Sequence, residues 1–116
     1  MADNADERSR LEQFREIVEM DPSDYFSHFG LATILFDEGH YEEAVKEFRE
    51  SVRLKPDYSA AIRDLGKALE KLGAHDEAMQ VYREGIPVAE RNGDLQTAKE
   101  MQVFLGRLER GQGTEG

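Results

Sequence analysis

The side chains of this chain that could bind a metal or perform acid–base catalysis include three histidines and two pairs of adjacent acids. The spacing of the histidines matches neither HExxH nor another metal-binding pattern: His28, His40 and His75. Paired carboxylates can perform acid–base catalysis, and the chain has two such pairs: Glu42 with Glu43, and Asp76 with Glu77. Both pairs open predicted helices, where acidic side chains complement the positive end of the helix dipole. We therefore interpret the acids as helix-start residues and the histidines as packing or surface residues.

Composition excludes several further kinds of site. The chain has no cysteine, so it can form neither a disulfide nor a thiolate zinc site. It contains no Gly-rich phosphate loop and no Ser-His-Asp candidate, so we predict a protein that is not an enzyme, with no catalytic residues, no metal and no cofactor. A formal net charge of -10 disfavours nucleic acids and anionic membranes as partners. With no apolar run of about 18 residues and no signal sequence, the expected location is cytoplasmic.

A repeat with a period of 34 residues organises the middle of the chain. Shifting the sequence by 34 positions superposes leucines, glycines, alanines and aromatic residues: Leu31 with Leu65, Leu35 with Leu69, Gly39 with Gly73, Ala44 with Ala78, and Phe48 with Tyr82. Each copy predicts two helices with a glycine between them, over 25–38 and 41–54 and again over 58–72 and 75–89. Small residues such as Ala32 and Gly66 allow the paired helices to approach closely.

The flanks extend this frame. Phe14, Ile17 and Met20 are in register with Phe48, Ser51 and Leu54. Residues 9–20 are therefore predicted to form the second helix of a repeat whose first helix is missing. Residues 94–110 predict an amphipathic helix that covers the end of the stack. We expect disorder in the acidic residues 1–8 and in the tail 111–116.

Pro87 lies inside the last predicted repeat helix. A proline there removes a hydrogen bond and clashes with the carbonyl of Arg83, at a cost of about 3 kcal/mol. The sequence predicts a bend near Gly85–Pro87, either as a kink or as a break with Pro87 opening a new turn.

The repeat resembles the tetratricopeptide repeat, a pair of helices of about 34 residues. The first copy carries the family signature at Leu31, Ala32, Leu35, Gly39, Tyr41, Ala44, Phe48, Ser51, Leu54 and Pro56. The resemblance implies an all-α, right-handed superhelix of about six helices. It would form a single domain over 9–110, with full repeats at 25–58 and 59–92.

Two stripes of side chains are the candidate binding surface. Periodicity groups three aromatic residues and a threonine on one helical face: Phe26, Phe29, Thr33 and Phe36. Basic residues follow at i, i+4 and i+8 on a second face: Arg63, Lys67 and Lys71. First helices line a concave groove in the resembled family, which implies that these residues and Ala60 and Glu70 are groove positions.

Two interpretations of the stripes stay open. The aromatic stripe can be ordinary packing, with the basic stripe paired to Asp64 or Glu70. Alternatively, the stripes form a groove for an acidic-apolar peptide or a C-terminal carboxylate of another protein. A different class of function is homo-oligomeric assembly through the terminal helices, with the protein a monomer or a weak homodimer.

Overall fold

Six α-helices form the computed structural model, which describes residues 9–115. The helices follow one another along the chain as α1 (Arg10–Met20), α2 (Tyr25–Asp37), α3 (Tyr41–Leu54), α4 (Ser59–Lys71), α5 (His75–Arg91) and α6 (Leu95–Glu115). No strand occurs within residues 9–115. The prediction of an all-α helical repeat is therefore confirmed. Residues 1–8, for which disorder was predicted, lie outside the described part of the chain.

Local sequence signals account for the helix ends. Ser9 caps α1 in a capping box with Glu12, and the Asp24 carboxylate accepts a hydrogen bond from the Phe26 N–H at the start of α2. The turns after α2 and α4 contain Gly39 and Gly73 at φ +86° and +76°, a backbone conformation that glycine adopts without steric cost. The predicted turn positions thus coincide with the observed ones.

Neighbouring helices pack in sequence order around one apolar core. The buried repeat positions include Leu31, Leu35, Phe48, Leu65, Leu69 and Tyr82. Gly66 shows why a small residue is needed, because a Cβ there would lie 2.2 Å from Cε1 of the Tyr82 ring. The ring fills the space that the missing side chain leaves, so the paired helices α4 and α5 interlock at this position.

The structure corrects two expectations for the C-terminal third. α5 is one helix over His75–Arg91 with Pro87 inside it, so the alternative of a break at Pro87 is wrong. One lost backbone hydrogen bond is tolerated because packed residues such as Tyr82 and Ala89 hold the helix on both sides of the proline. α6 continues to Glu115, so the prediction of disorder from residue 111 is wrong for 111–115. Helical backbone bonding continues there despite the glycines at 111 and 113.

The lengths and polarities of the helices determine whether any of them could span a membrane. Within residues 9–115, no helix is both long enough and apolar enough to cross a bilayer.

Candidate functional site

One face of α2, α4 and α6 carries two adjoining cavities. The first, of about 160 Å³, opens between α2 and α4 and is lined by Thr33, Phe36, Asp37, Phe48, Arg63, Asp64 and Lys67. The second, of about 350 Å³, opens between α4 and α6 and is lined by Phe36, Lys67, Glu70, Lys71, Phe104 and Arg107. Because Phe36 and Lys67 border both cavities, the two form one continuous depression, which we call the groove.

The structure brings five of the predicted site residues to the groove: Thr33, Phe36, Arg63, Lys67 and Lys71. The other three, Phe26, Phe29 and Ala60, border neither cavity. Phe26 is 61% exposed and stacks on Phe29 with 6.4 Å between ring centroids. The Phe29 ring is half-buried against Phe48 and Tyr58, at 5.9 and 5.1 Å. Phe26 and Phe29 therefore form an aromatic pair at the N-terminal end of α2, outside the groove.

Arg63 forms salt bridges within α4 and between α4 and α6. Its guanidinium donates to Asp64 Oδ1 at 2.8 Å and to Glu100 Oε1 on α6 at 2.9 Å. Burial lowers the pKa of Arg63, but the bonds to Asp64 and Glu100 outweigh it and the net shift is upward. Asp64 was predicted as a partner, whereas Glu100 was missed. Arg63 is thus a fixed cation that joins α4 to α6.

Lys67 and Lys71 are placed differently, because both lie over aromatic rings. Lys67 Nζ is 5.9 Å from the centroid of Phe36, and Lys71 Nζ is 5.9 Å from that of Tyr41. Neither ammonium group makes a salt bridge with a residue in 9–111. A cation–π contact contributes about 0.5–1 kcal/mol at an exposed site and leaves ammonium protons free to bind an anion. Among the four cations that line the groove, Arg63 and Arg107 are held in salt bridges, so Lys67 and Lys71 are the two that can bind a ligand.

Residues of α6 complete the groove, and sequence reasoning missed their role. The Phe104 ring packs 5.7 Å from Tyr82, and the Arg107 guanidinium lies 5.4 Å from the centroid of Phe104. Glu70 accepts 2.7 and 2.5 Å hydrogen bonds from Arg107 and the Tyr82 hydroxyl. Glu70 therefore neutralises Arg107 and does not pair with the predicted basic stripe. The signal lies in the heptad-like spacing of Met101, Leu105 and Leu108, which matches a first helix of the repeat.

His28 lies outside the groove, at a packing position as predicted. It is 6% exposed, and its ring nitrogens bond to two acceptors: Nδ1 to Glu47 Oε1 and Nε2 to the Pro22 carbonyl, both at 2.7 Å. Burial lowers the pKa of His28, but the bonds to Glu47 and Pro22 more than compensate and raise it overall. His40 and His75 are exposed beside turns. Among the described residues, no three acidic or histidine side chains are grouped as metal ligands would be.

Comparison with known proteins identifies the repeat. The family model described as "Tetratricopeptide repeat" matches residues 11–59 and 29–94, which together span most of the chain. No curated protein sequence matches significantly.

Solved structures share the fold. The solution structure of a protein from Bordetella parapertussis is 29% identical, with a TM-score of 0.81 over 93% of this chain and 94% of that one. A tetratricopeptide repeat domain protein from Salinibacter ruber is 32% identical, with a TM-score of 0.70 over 77% of this chain and 90% of that one. The TPR2B domain of yeast Sti1, in complex with pHsp70, is 13% identical, with a TM-score of 0.81 over 87% of this chain and 81% of that one.

Proposed function

Because this chain belongs to the tetratricopeptide-repeat family, we propose that it is a non-catalytic interaction module that binds a segment of another protein in the groove. The observation that carries the proposal is the pair of lysines that rest on aromatic rings beside open cavities, Lys67 on Phe36 and Lys71 on Tyr41. A single surface thus offers cations and apolar area together. The groove is open along α2, α4 and α6, which suits a polypeptide better than a small molecule.

The partner's chemistry follows from the groove's lining. Carboxylates of the partner would bind Lys67 and Lys71, while its apolar side chains would cover Phe36 and Phe104. Glu70 presents little negative charge to such a ligand, since it already accepts bonds from Arg107 and Tyr82. These features support an acidic-apolar segment, and a C-terminal carboxylate is the other anionic form that the same lysines suit.

The fold supports the same class of function. The TPR2B domain of yeast Sti1 shares this fold and is seen in complex with pHsp70. At 13% identity the likeness extends only to the fold, so the ligand of that domain is not assigned to this chain. The net charge of -10 adds that nucleic acid is an unfavourable partner.

The test is peptide binding by wild type and two charge-reversal variants. The probe is an acidic, aromatic-containing peptide, made with a free and with an amidated C-terminus. We expect Lys67→Glu/Lys71→Glu to weaken binding at least about tenfold, since about 1.4 kcal/mol corresponds to a factor of ten. The matched control is Lys46→Glu, which reverses an exposed lysine on α3 that borders neither groove cavity. It should bind like wild type.

Arg63 is left unchanged in this test because it joins α4 to α6, so reversing its charge would disturb the groove itself. Equal affinity of wild type and the double variant, with the same salt dependence, would remove the lysines from recognition and contradict the proposal. A tenfold preference for the free over the amidated peptide would identify the C-terminal carboxylate as the anchoring group.

A second candidate is the assembly of copies through the terminal helices. It is favoured by exposed apolar side chains at the two ends of the stack, where Met20 of α1 is 85% exposed and Leu95 of α6 is 63% exposed.

A further inference from the structure

α1 exposes the face that the equivalent interior helix buries. A shift of 34 residues superposes α1 on α3 and Ile17 on Ser51. Ser51 is fully buried, and its hydroxyl donates a 2.9 Å hydrogen bond to the Tyr25 carbonyl on α2, so this position faces the preceding helix. Ile17, at the same position of α1, is 43% exposed. Among the described helices, α2 is the one that packs closely on α1, and it does so on the side away from this face.

α6 exposes the face that corresponds to the α5-facing side of α4. A shift of 36 residues superposes α4 on α6, with Leu65 on Met101 and Leu69 on Leu105. Gly66 is buried against Tyr82 of the following helix, α5, whereas its counterpart Gln102 is exposed. A depression of about 430 Å³ runs along this face and is lined by Glu90, Leu95, Gln96, Ala98, Lys99 and Gln102. α6 therefore has the packing face of a first helix, with no second helix against it among the described residues.

We propose that α1 of one copy packs on α6 of a second copy and completes a helix pair like α2 and α3. The occupant is a second copy of this chain because each exposed face lacks the type of helix that the other end supplies. The contact is heterologous, so copies associate head to tail and the stack of helices continues from one copy into the next. This interface uses the ends of the molecule and leaves the groove open.

The side chains at the interface also set its strength. Within the chain, close packing of paired helices depends on small residues such as Gly66 and Ser51. At the ends these positions hold Gln102 and Ile17, which keep the helices farther apart and reduce the contact area. The association is therefore weak and depends on concentration, with monomer dominant in dilute solution.

Sedimentation of wild type over a concentration series, from about 5 μM to about 1 mM, tests the association, since interfaces of limited area are typically weak. The apparent mass should rise above that of the monomer. Ile17→Glu places a charge on the α1 face, and Leu95→Glu places one on the α6 face. Both side chains are more than 40% exposed, so folding should be preserved. Each variant alone should stay monomeric.

Mixing the two variants distinguishes a head-to-tail contact from a symmetric one. The Ile17→Glu chain retains its α6 face and the Leu95→Glu chain retains its α1 face, so the mixture should form 1:1 heterodimers and nothing larger. Val103→Glu is the matched control, because Val103 is 62% exposed on α6 but superposes on the groove residue Lys67. This variant should associate like wild type.

Three results would overturn the proposal: wild type that is monomeric throughout, a mixture that stays monomeric, or one end variant that still associates by itself. Peptide binding separates this proposal from the groove. Ile17→Glu and Leu95→Glu should bind the acidic peptide as wild type does, so either proposal can fail without the other.

Discussion

The two complete repeats, α2–α3 and α4–α5, share a backbone but differ in the pair of residues at one buried contact. In the first repeat, His28 on α2 bonds to Glu47 on α3. A shift of 34 residues places Ile62 and Val81 at the same two positions of the second repeat, where both are apolar. A polar pair and an apolar pair thus occupy equivalent positions. The comparison shows that this position accepts either chemistry when both partners change together.

The helix faces that turn toward the next unit differ as well. Phe29 of the first repeat packs on Tyr58 at the entrance to α4, with 5.1 Å between ring centroids. Its counterpart in the second repeat is Arg63, which reaches α6 through Glu100. At this position, aromatic packing joins the first repeat to the second, whereas an ion pair joins the second repeat to α6. The helix packing that is common to both repeats therefore depends on the positions where their residues are alike, such as Phe48 and Tyr82.

The largest effect is expected where the two repeats agree. Tyr82 is fully buried and Phe48 is 1% exposed, so truncating either residue leaves a large cavity. We expect Tyr82→Ala and Phe48→Ala each to lower the free energy of unfolding by about 3–5 kcal/mol, measured by urea denaturation.

Tyr82→Phe is the matched control, because it keeps the ring and removes only the hydroxyl that bonds to Glu70. It should cost about 1 kcal/mol, since Glu70 retains Arg107 as a partner. A loss below about 1 kcal/mol for either alanine variant would mean that these rings do not hold the repeats together.

An intermediate effect is expected where the repeats differ. Glu47→Val alone removes the partner of a buried histidine and should lower the free energy of unfolding by about 1–3 kcal/mol near pH 6. Adding His28→Ile installs the pair found in the second repeat and should recover most of that loss. Urea denaturation of wild type, both single variants and the double variant forms a double-mutant cycle. A double variant that loses the sum of the two single effects would contradict the equivalence of the two pairs.

The same exchange should abolish a pH dependence. The Pro22 carbonyl and the Glu47 carboxylate both accept hydrogen bonds, so His28 satisfies both only as the imidazolium. Because folding raises the pKa of His28 above 6.5, the stabilisation is complete below the unfolded pKa and is lost as pH rises through the folded pKa. Glu50 and Asp24 also carry negative charge toward this histidine and act in the same direction.

Denaturation series between about pH 5.5 and 8.5 measure this dependence, a window that spans the histidine pKa. Wild type should lose stability toward the alkaline end relative to His28→Ile/Glu47→Val. Parallel curves for the two proteins would show that the His28 bridge does not titrate in this range.

The sequence predicted α2 to α5 well because their period is strict and each turn glycine has a positive φ. It predicted α6 as a covering helix but missed its place in the groove, because α5 has 17 residues where α3 has 14, which moves α6 out of the 34-residue frame. Phe104 and Arg107 were therefore not recognised as groove residues. The ties of Arg63 to Glu100 and of Arg107 to Glu70 were also missed, since such long-range pairs depend on how helices stack.

The smallest effect is expected for a row of ion pairs that all regions of the stack share. Arginines at intervals of 34 residues each pair with an acid on a later helix: Arg15 of α1 with Glu43 of α3, Arg49 of α3 with Glu77 of α5, and Arg83 of α5 with Glu109 of α6. All six side chains are about half exposed, so the pairs are screened by solvent and should contribute less than about 1 kcal/mol each.

Arg49→Ala should therefore change the free energy of unfolding by less than about 1 kcal/mol, and less still in about 0.5 M salt. A double-mutant cycle with Glu77→Ala measures the coupling directly, and Arg15→Ala and Arg83→Ala repeat the measurement at the two ends. Equal, small coupling free energies for all three ion pairs would show that the pairs form because the helices stack, without adding to the stability of the stack. A coupling above about 2 kcal/mol at Arg83 alone would instead make Glu109 a structural tie, and the added length of α6 would then serve to hold that helix on α5.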